Sequence, residues 1–116
     1  MNYLFAATLL LIVAICLGFY LVFVGIRQRK RLPAIGLTHA GLAITGFIAL
    51  GLQIATGVSD KLNNLAAFLL VIAIIGGVMV FALHEKNSPP SMPIVTLHAI
   101  MGLVAVILLV FNVINT

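Results

Sequence analysis

His39 and His98 are the residues of this chain best suited to chemistry. Each opens a His-Ala dipeptide, with Ala40 and Ala99 following. Each lies about two turns inside a long apolar segment that begins at or just after a proline, Pro33 or Pro93. An ionisable side chain at membrane depth is expensive and by default functional. Two imidazoles at matched depth point to a bound metal centre.

The elements that must position them follow from composition. Hydrophobic residues make up 64% of the 116 and charged residues 7%. A soluble domain does not have this balance, so the solvent is lipid. Four apolar runs, about 3–26, 33–56, 62–83 and 93–114, each reach the ~20 residues that cross a hydrocarbon core as a helix. The connections leave no room for a second domain. The expectation is an all-α membrane protein, a single transmembrane domain over 1–116, with four transmembrane helices in an up-down bundle. The first run has no basic stretch before it and is too long for a cleaved signal peptide.

Charge predicts orientation. Arg27, Arg29, Lys30, Arg31 and Lys86 are five of the six basic residues, and Lys61 is the sixth. The positive-inside rule puts both basic loops in the cytoplasm and both termini outside. The net charge of +4 then reflects topology, and no nucleic acid is an expected partner. Cys16 is the single cysteine, so no intramolecular disulfide forms, and mid-helix it reads as a small apolar residue.

A shift of 59 residues carries the first hairpin onto the second without a gap. It places Ala7 on Ala66, Ala14 on Ala73, Gly18 on Gly77, His39 on His98, Leu50 on Leu109 and Gln53 on Asn112. The rare residue types coincide, and they lift the match above the apolar background. Two hairpins of the same sense form a parallel repeat about an axis along the membrane normal. The histidines then stand at one depth across that axis. The stripe through His39 runs Leu42, Ala43, Gly46, Leu50, Gln53. The stripe through His98 runs Met101, Gly102, Ala105, Leu109, Asn112. Both follow one helix face, and small-plus-polar faces look into a bundle.

In such a bundle the second and fourth helices are diagonal, roughly 11–14 Å apart. Zinc or copper collects three or four protein ligands, and only two imidazoles exist at this level. An iron held axially by His39 and His98, with a porphyrin supplying the other four positions, needs no more. The expected cofactor is haem b. Gly18 and Gly77 fall at the depth of the histidines and leave space for a flat ring; Gly46, Gly76 and Gly102 add room. Arg31, among the basic residues and His84 at that end, is a candidate for holding the propionates. His84 otherwise reads as a solvated end-cap beside Glu85. Gln53 and Asn112 could hold a second ligand, such as a quinone headgroup, or cross-link helices.

His39-Ala40, His98-Ala99, the small residues on both stripes and four spans with short loops resemble the small four-helix b-type cytochromes of bacterial membranes. The resemblance covers the whole chain in architecture. It implies a bacterial inner-membrane, multi-pass protein passing single electrons, with a quinone or a redox partner protein. The family carries two stacked haems and two histidine pairs. This sequence has one pair and so one haem.

The alternative is a small non-enzymatic membrane protein: a scaffold, an assembly subunit or a passive transporter whose histidines pack or bind a divalent metal. An oligomer suits either reading. Asp60 and Glu85, the only acids, lie in loops, which disfavours a cation-coupled exporter. Neither a nucleophile–base–orienter set nor a phosphate loop is visible.

Overall fold

The computed structural model describes residues 2–85 and 88–116. Lys86, counted above toward the second basic loop, lies outside the described residues, as do Met1 and Asn87. Four helices follow in order: α1 (Tyr3–Arg27), α2 (Pro33–Thr56), α3 (Lys61–Leu83) and α4 (Met92–Ile114). Each is long and apolar enough to cross a membrane, and each end lies within one residue of the apolar run in the sequence.

Local chemistry sets the starts. The Asn2 side chain accepts from the Leu4 N–H at 3.0 Å. Asp60 does the same for Leu62 at 2.8 Å and Asn63 at 3.4 Å. Such caps satisfy amides that a first turn leaves without partners. Pro33 and Pro93 sit in the first turns of α2 and α4, where a missing N–H costs nothing.

The helices form a square. α1 packs on α2 and α4, and α3 packs on α4 and α2, so α2 and α4 are diagonal. The bundle measures 47 × 22 × 21 Å. Its outer faces carry large apolar side chains such as Phe5, Phe19, Phe68 and Phe111, as lipid contact requires. Two ends can be distinguished. The terminal end holds residue 2, residue 116 and the 57–60 connection. The basic end holds the 28–32 and 84–91 connections.

The core is one-sided along the bundle axis. Leu4, Ala7, Leu11, Leu50, Ala66, Leu70, Ala105, Val106 and Leu109 make a continuous buried cluster in the terminal half. Ala7, Ala66 and Ala105 are fully buried, which fits helices that associate by close approach of small residues. Toward the basic end this packing stops. No residue in 15–23, 33–45, 77–83 or 96–104 is buried. Beyond that layer Val24, Gly25, Pro90 and Val95 are buried again. They form a small plug on the α1/α4 side, with Pro90 Cδ 3.3 Å from where a Gly25 Cβ would stand.

The terminal end is tied by polar contacts. Gln53 Oε1 accepts from the Tyr3 N–H at 3.1 Å. Asn112 Nδ2 donates to Asn63 Oδ1 at 2.8 Å and to Asp60 Oδ2 at 3.1 Å. Asn63 and Asn112 are both buried. The first tie closes the α1/α2 hairpin and the second closes α3/α4.

Candidate metal centre

Both histidines turn inward. Their ring centroids are 6.0 Å apart and their planes cross at 83°. Each ring is held by its own hairpin. His39 Nδ1 lies 2.6 Å from the Ala14 carbonyl oxygen on α1, and His98 Nδ1 lies 2.6 Å from the Ala73 carbonyl oxygen on α3. The two contacts have the same length and span the same 25 residues.

A carbonyl oxygen only accepts, so in both bonds the imidazole donates and the proton is on Nδ1. That leaves the lone pair on Nε2. Neither Nε2 has a hydrogen-bond partner among the described residues, and no unpartnered buried side-chain nitrogen occurs among them either. Each Nε2 is therefore without a protein partner and keeps some accessible surface. This is the arrangement of a metal-binding histidine: one nitrogen fixed by a carbonyl, the other free to coordinate.

The local backbone explains how the rings reach the carbonyls. In a regular helix the Ala14 carbonyl also receives the Gly18 N–H, and the Ala73 carbonyl that of Gly77. Those same glycines clear the space. A Cβ at Gly18 would stand 3.0 Å from His39 Cε1, and one at Gly77 would stand 2.9 Å from His98 Cε1. Spacing alone assigns these glycines to a flat ring of the cofactor. In the structure the imidazoles themselves fill the space. Gly76 lies closer still to α4: a Cβ there would meet His98 Cβ at 3.2 Å and Cα at 3.5 Å. Leu17 stands at the matching place on α1.

The other candidates fall elsewhere. Gly46 is buried in the terminal-half core, where a Cβ would be 2.8 Å from Leu11 Cγ, so its room belongs to Leu11. Gly102 faces Ala73, whose Cβ would be 3.9 Å away. Arg31 stacks over the Phe81 ring at 5.0 Å and donates from Nη2 to the Phe81 carbonyl at 3.3 Å. It thus spans the basic-end mouth between α2 and α3. The half-buried His84 contacts the Ser88 carbonyl through Nε2 at 2.8 Å, which is a loop-closing role. Gln53 and Asn112 are engaged in the ties described above.

No cluster of three or more His, Cys, Asp or Glu side chains able to hold a metal occurs among the described residues. Among the described residues, His39 and His98 are the His, Cys, Asp or Glu side chains that the site brings together. The carbonyl bonds that fix the tautomer left no trace in the sequence, because their acceptors are main-chain atoms of alanines. The offset that aligns Ala14 with Ala73 and Gly18 with Gly77 was the available signal. Comparison with protein-family models, with curated proteins and with solved structures finds no match for this chain.

Proposed function

We propose that this chain is a one-haem b-type cytochrome of a bacterial inner membrane, in which His39 and His98 would hold the haem iron. The observation that carries the reading is the pair of imidazoles whose Nδ1 atoms are both spent on carbonyls and whose Nε2 atoms are open at one level. Metal–nitrogen bonds of about 2 Å and about 1.2 Å from nitrogen to ring centre put two axial imidazoles roughly 6.3 Å apart, centre to centre. The 6.0 Å separation suits that arrangement. A two-ligand set calls for a group that brings its own equatorial donors, and porphyrin does so. The unburied layer around the pair supports a bulky occupant.

Bound there, haem supplies a reversible one-electron couple. The chain's residues do the rest. The Ala14 and Ala73 carbonyls fix the orientation and the tautomer of the imidazoles. Gly18 and Gly77 let each ring lie against its helix. The terminal-half core keeps water from reaching the pair from that side. Arg31 holds a positive charge at the mouth. The two hairpins act as a parallel repeat, with the 27–31 segment cytoplasmic and the termini outside. Four apolar helices around one inward histidine pair support the cytochrome reading.

A second reading has its own observation. Edge-to-face rings also sit about 4.5–7 Å apart, and each histidine already staples its own hairpin. In that case the chain is a non-enzymatic scaffold or assembly subunit. An absorption spectrum separates the two. The detergent-solubilised protein is expected to be red, with the Soret band of six-coordinate low-spin haem. His39→Ala and His98→Ala are each expected to lose it. A wild-type protein that stays colourless with excess haemin returns the second reading.

A further inference from the structure

The packing of this bundle is looser toward the charged, basic end on the α2/α3 side, while Val24, Gly25, Pro90 and Val95 plug that end on the α1/α4 side. From His39 to the basic-end start of α2 at Pro33 is six residues, and from His98 to Met92 likewise; at the helical rise this is about 9 Å. To the terminal end of α2 at Thr56 is seventeen residues, or about 25 Å. That longer path is filled by the buried cluster around Leu11, Leu50, Leu70 and Leu109. On the short side no residue of α2 before Gly46, nor of α3 after Gly76, is buried.

The 28–31 segment caps the short side. It is fully exposed and turns through Arg29, whose φ of 52° is an unusual conformation for a residue with a side chain. Arg27 and Arg31 lie back on Phe23 and Phe81, which leaves Arg29 and Lys30 at the tip. Of the two acids, Asp60 is at the opposite end, bonded to Asn112, and Glu85 is exposed at the basic end just after α3, where the four basic residues of 27–31 outnumber it. The bundle is 47 Å long, against roughly 40–45 Å for a bilayer with its headgroups. The tip therefore reaches the aqueous side.

We propose that the imidazole-pair site exchanges electrons at the basic end alone, and that the tip at Arg29 and Lys30 docks a soluble protein with an acidic surface. The electron-transfer part rests on the haem reading; the docking part does not. A haem held by His39 and His98 would take up one electron from the reduced carrier, with no proton or further reactant. Tunnelling falls exponentially with distance, so the short side, about 9 Å, dominates the long side, about 25 Å. A cationic rim attracts an anionic carrier and raises its encounter rate in a salt-dependent way.

The test uses the full chain in nanodiscs of zwitterionic lipid. Surface plasmon resonance would measure binding of a plant-type [2Fe–2S] ferredoxin, an acidic carrier, and of cytochrome c, a basic one. Stopped-flow absorbance would follow haem reduction by dithionite-reduced ferredoxin. Ferredoxin is expected to bind and to react, with both effects falling as salt rises. The double variant Arg29→Glu with Lys30→Glu is expected to weaken both roughly ten-fold or more while the Soret band is unchanged. Equal binding of the two carriers overturns the docking, as does a double variant that binds ferredoxin like wild type. Binding of vesicles rich in anionic lipid, with none of ferredoxin, assigns the tip to the membrane surface and also overturns it. Salt-dependent ferredoxin binding by a protein without a Soret band keeps the docking and removes the haem. A red protein that binds ferredoxin but is not reduced by it removes the electron route alone.

Discussion

His98 donates its Nδ1 proton to the carbonyl of Ala73 across 2.6 Å, and the ring lies so close to α3 that a methyl group on Gly77 would touch its Cε1 at 2.9 Å. The bond and the missing side chain are one device. A ring held this tightly can aim its other nitrogen within a narrow range, which is what an axial ligand needs.

Gly18→Ala and Gly77→Ala are therefore expected to push each ring off its carbonyl and to convert low-spin haem toward high-spin, read as a blue-shifted Soret band. Gly76→Ala should do the same, because the atom it meets at 3.2 Å is His98 Cβ, which moves only with the backbone of α4. A methyl group on Gly41 would meet nothing within 4 Å, so Gly41→Ala should leave the spectrum alone and stabilise the helix by about 0.5–1 kcal/mol. Identical spectra in all four variants would remove the glycines from the site.

Asn112 carries the terminal tie of the second hairpin. Asn112→Leu strips the buried Asn63 of its partner and removes one contact of Asp60, at a cost of about 1–3 kcal/mol. Thermal unfolding in detergent should show a lower midpoint. The haem bands of the folded protein should not move, since His98 is fourteen residues away on the same helix. A spectral change with no loss of stability would assign Asn112 to a ligand instead.

The one-sided core predicts uneven dynamics. In haem-free protein, amides of 33–45 should exchange hydrogen faster than those of 46–54, because few buried contacts hold the first segment. Haem binding should protect 33–45 and leave 46–54 as it was. Mass spectrometry of exchange in nanodiscs would measure this. Uniform protection along α2 before and after haemin addition would contradict it.

Arg31 lies over Phe81 of α3 at the basic end. Removing a positive charge near a haem favours the ferric state, so Arg31→Ala should lower the midpoint potential in a spectroelectrochemical titration. A rise would place the guanidinium's influence elsewhere.

Much of this architecture is readable in the chain itself. Lipid forces every backbone group into a helix, and apolar length then marks all four helices to within one residue. The inward histidines and their glycines were also legible, because a rare residue type repeated at a fixed offset stands out from leucine and isoleucine. Contacts made through main-chain atoms were not. Nothing about an alanine announces that its carbonyl holds an imidazole. Gly46 read as room for a cofactor, yet Leu11 on another helix fills it, and only the relative rotation of α1 and α2 decides that. Gln53 and Asn112 looked like a matched pair, yet one meets a main-chain N–H and the other a buried asparagine. The lack of buried residues in the layer around the histidines is likewise a property of packing among four helices, which no single stripe contains.

Because each imidazole bonds within its own hairpin, either half of this molecule carries a complete set of parts: one ring, one carbonyl, one glycine. The halves need each other for the second nitrogen and for the shared core, to which Leu11 and Leu50 come from one half and Leu70 and Leu109 from the other. A chain severed within the 57–60 connection would thus retain two correctly prepared fragments, able to regenerate the whole by lateral association in the bilayer. Two copies of a single fragment would offer the same pair of nitrogens.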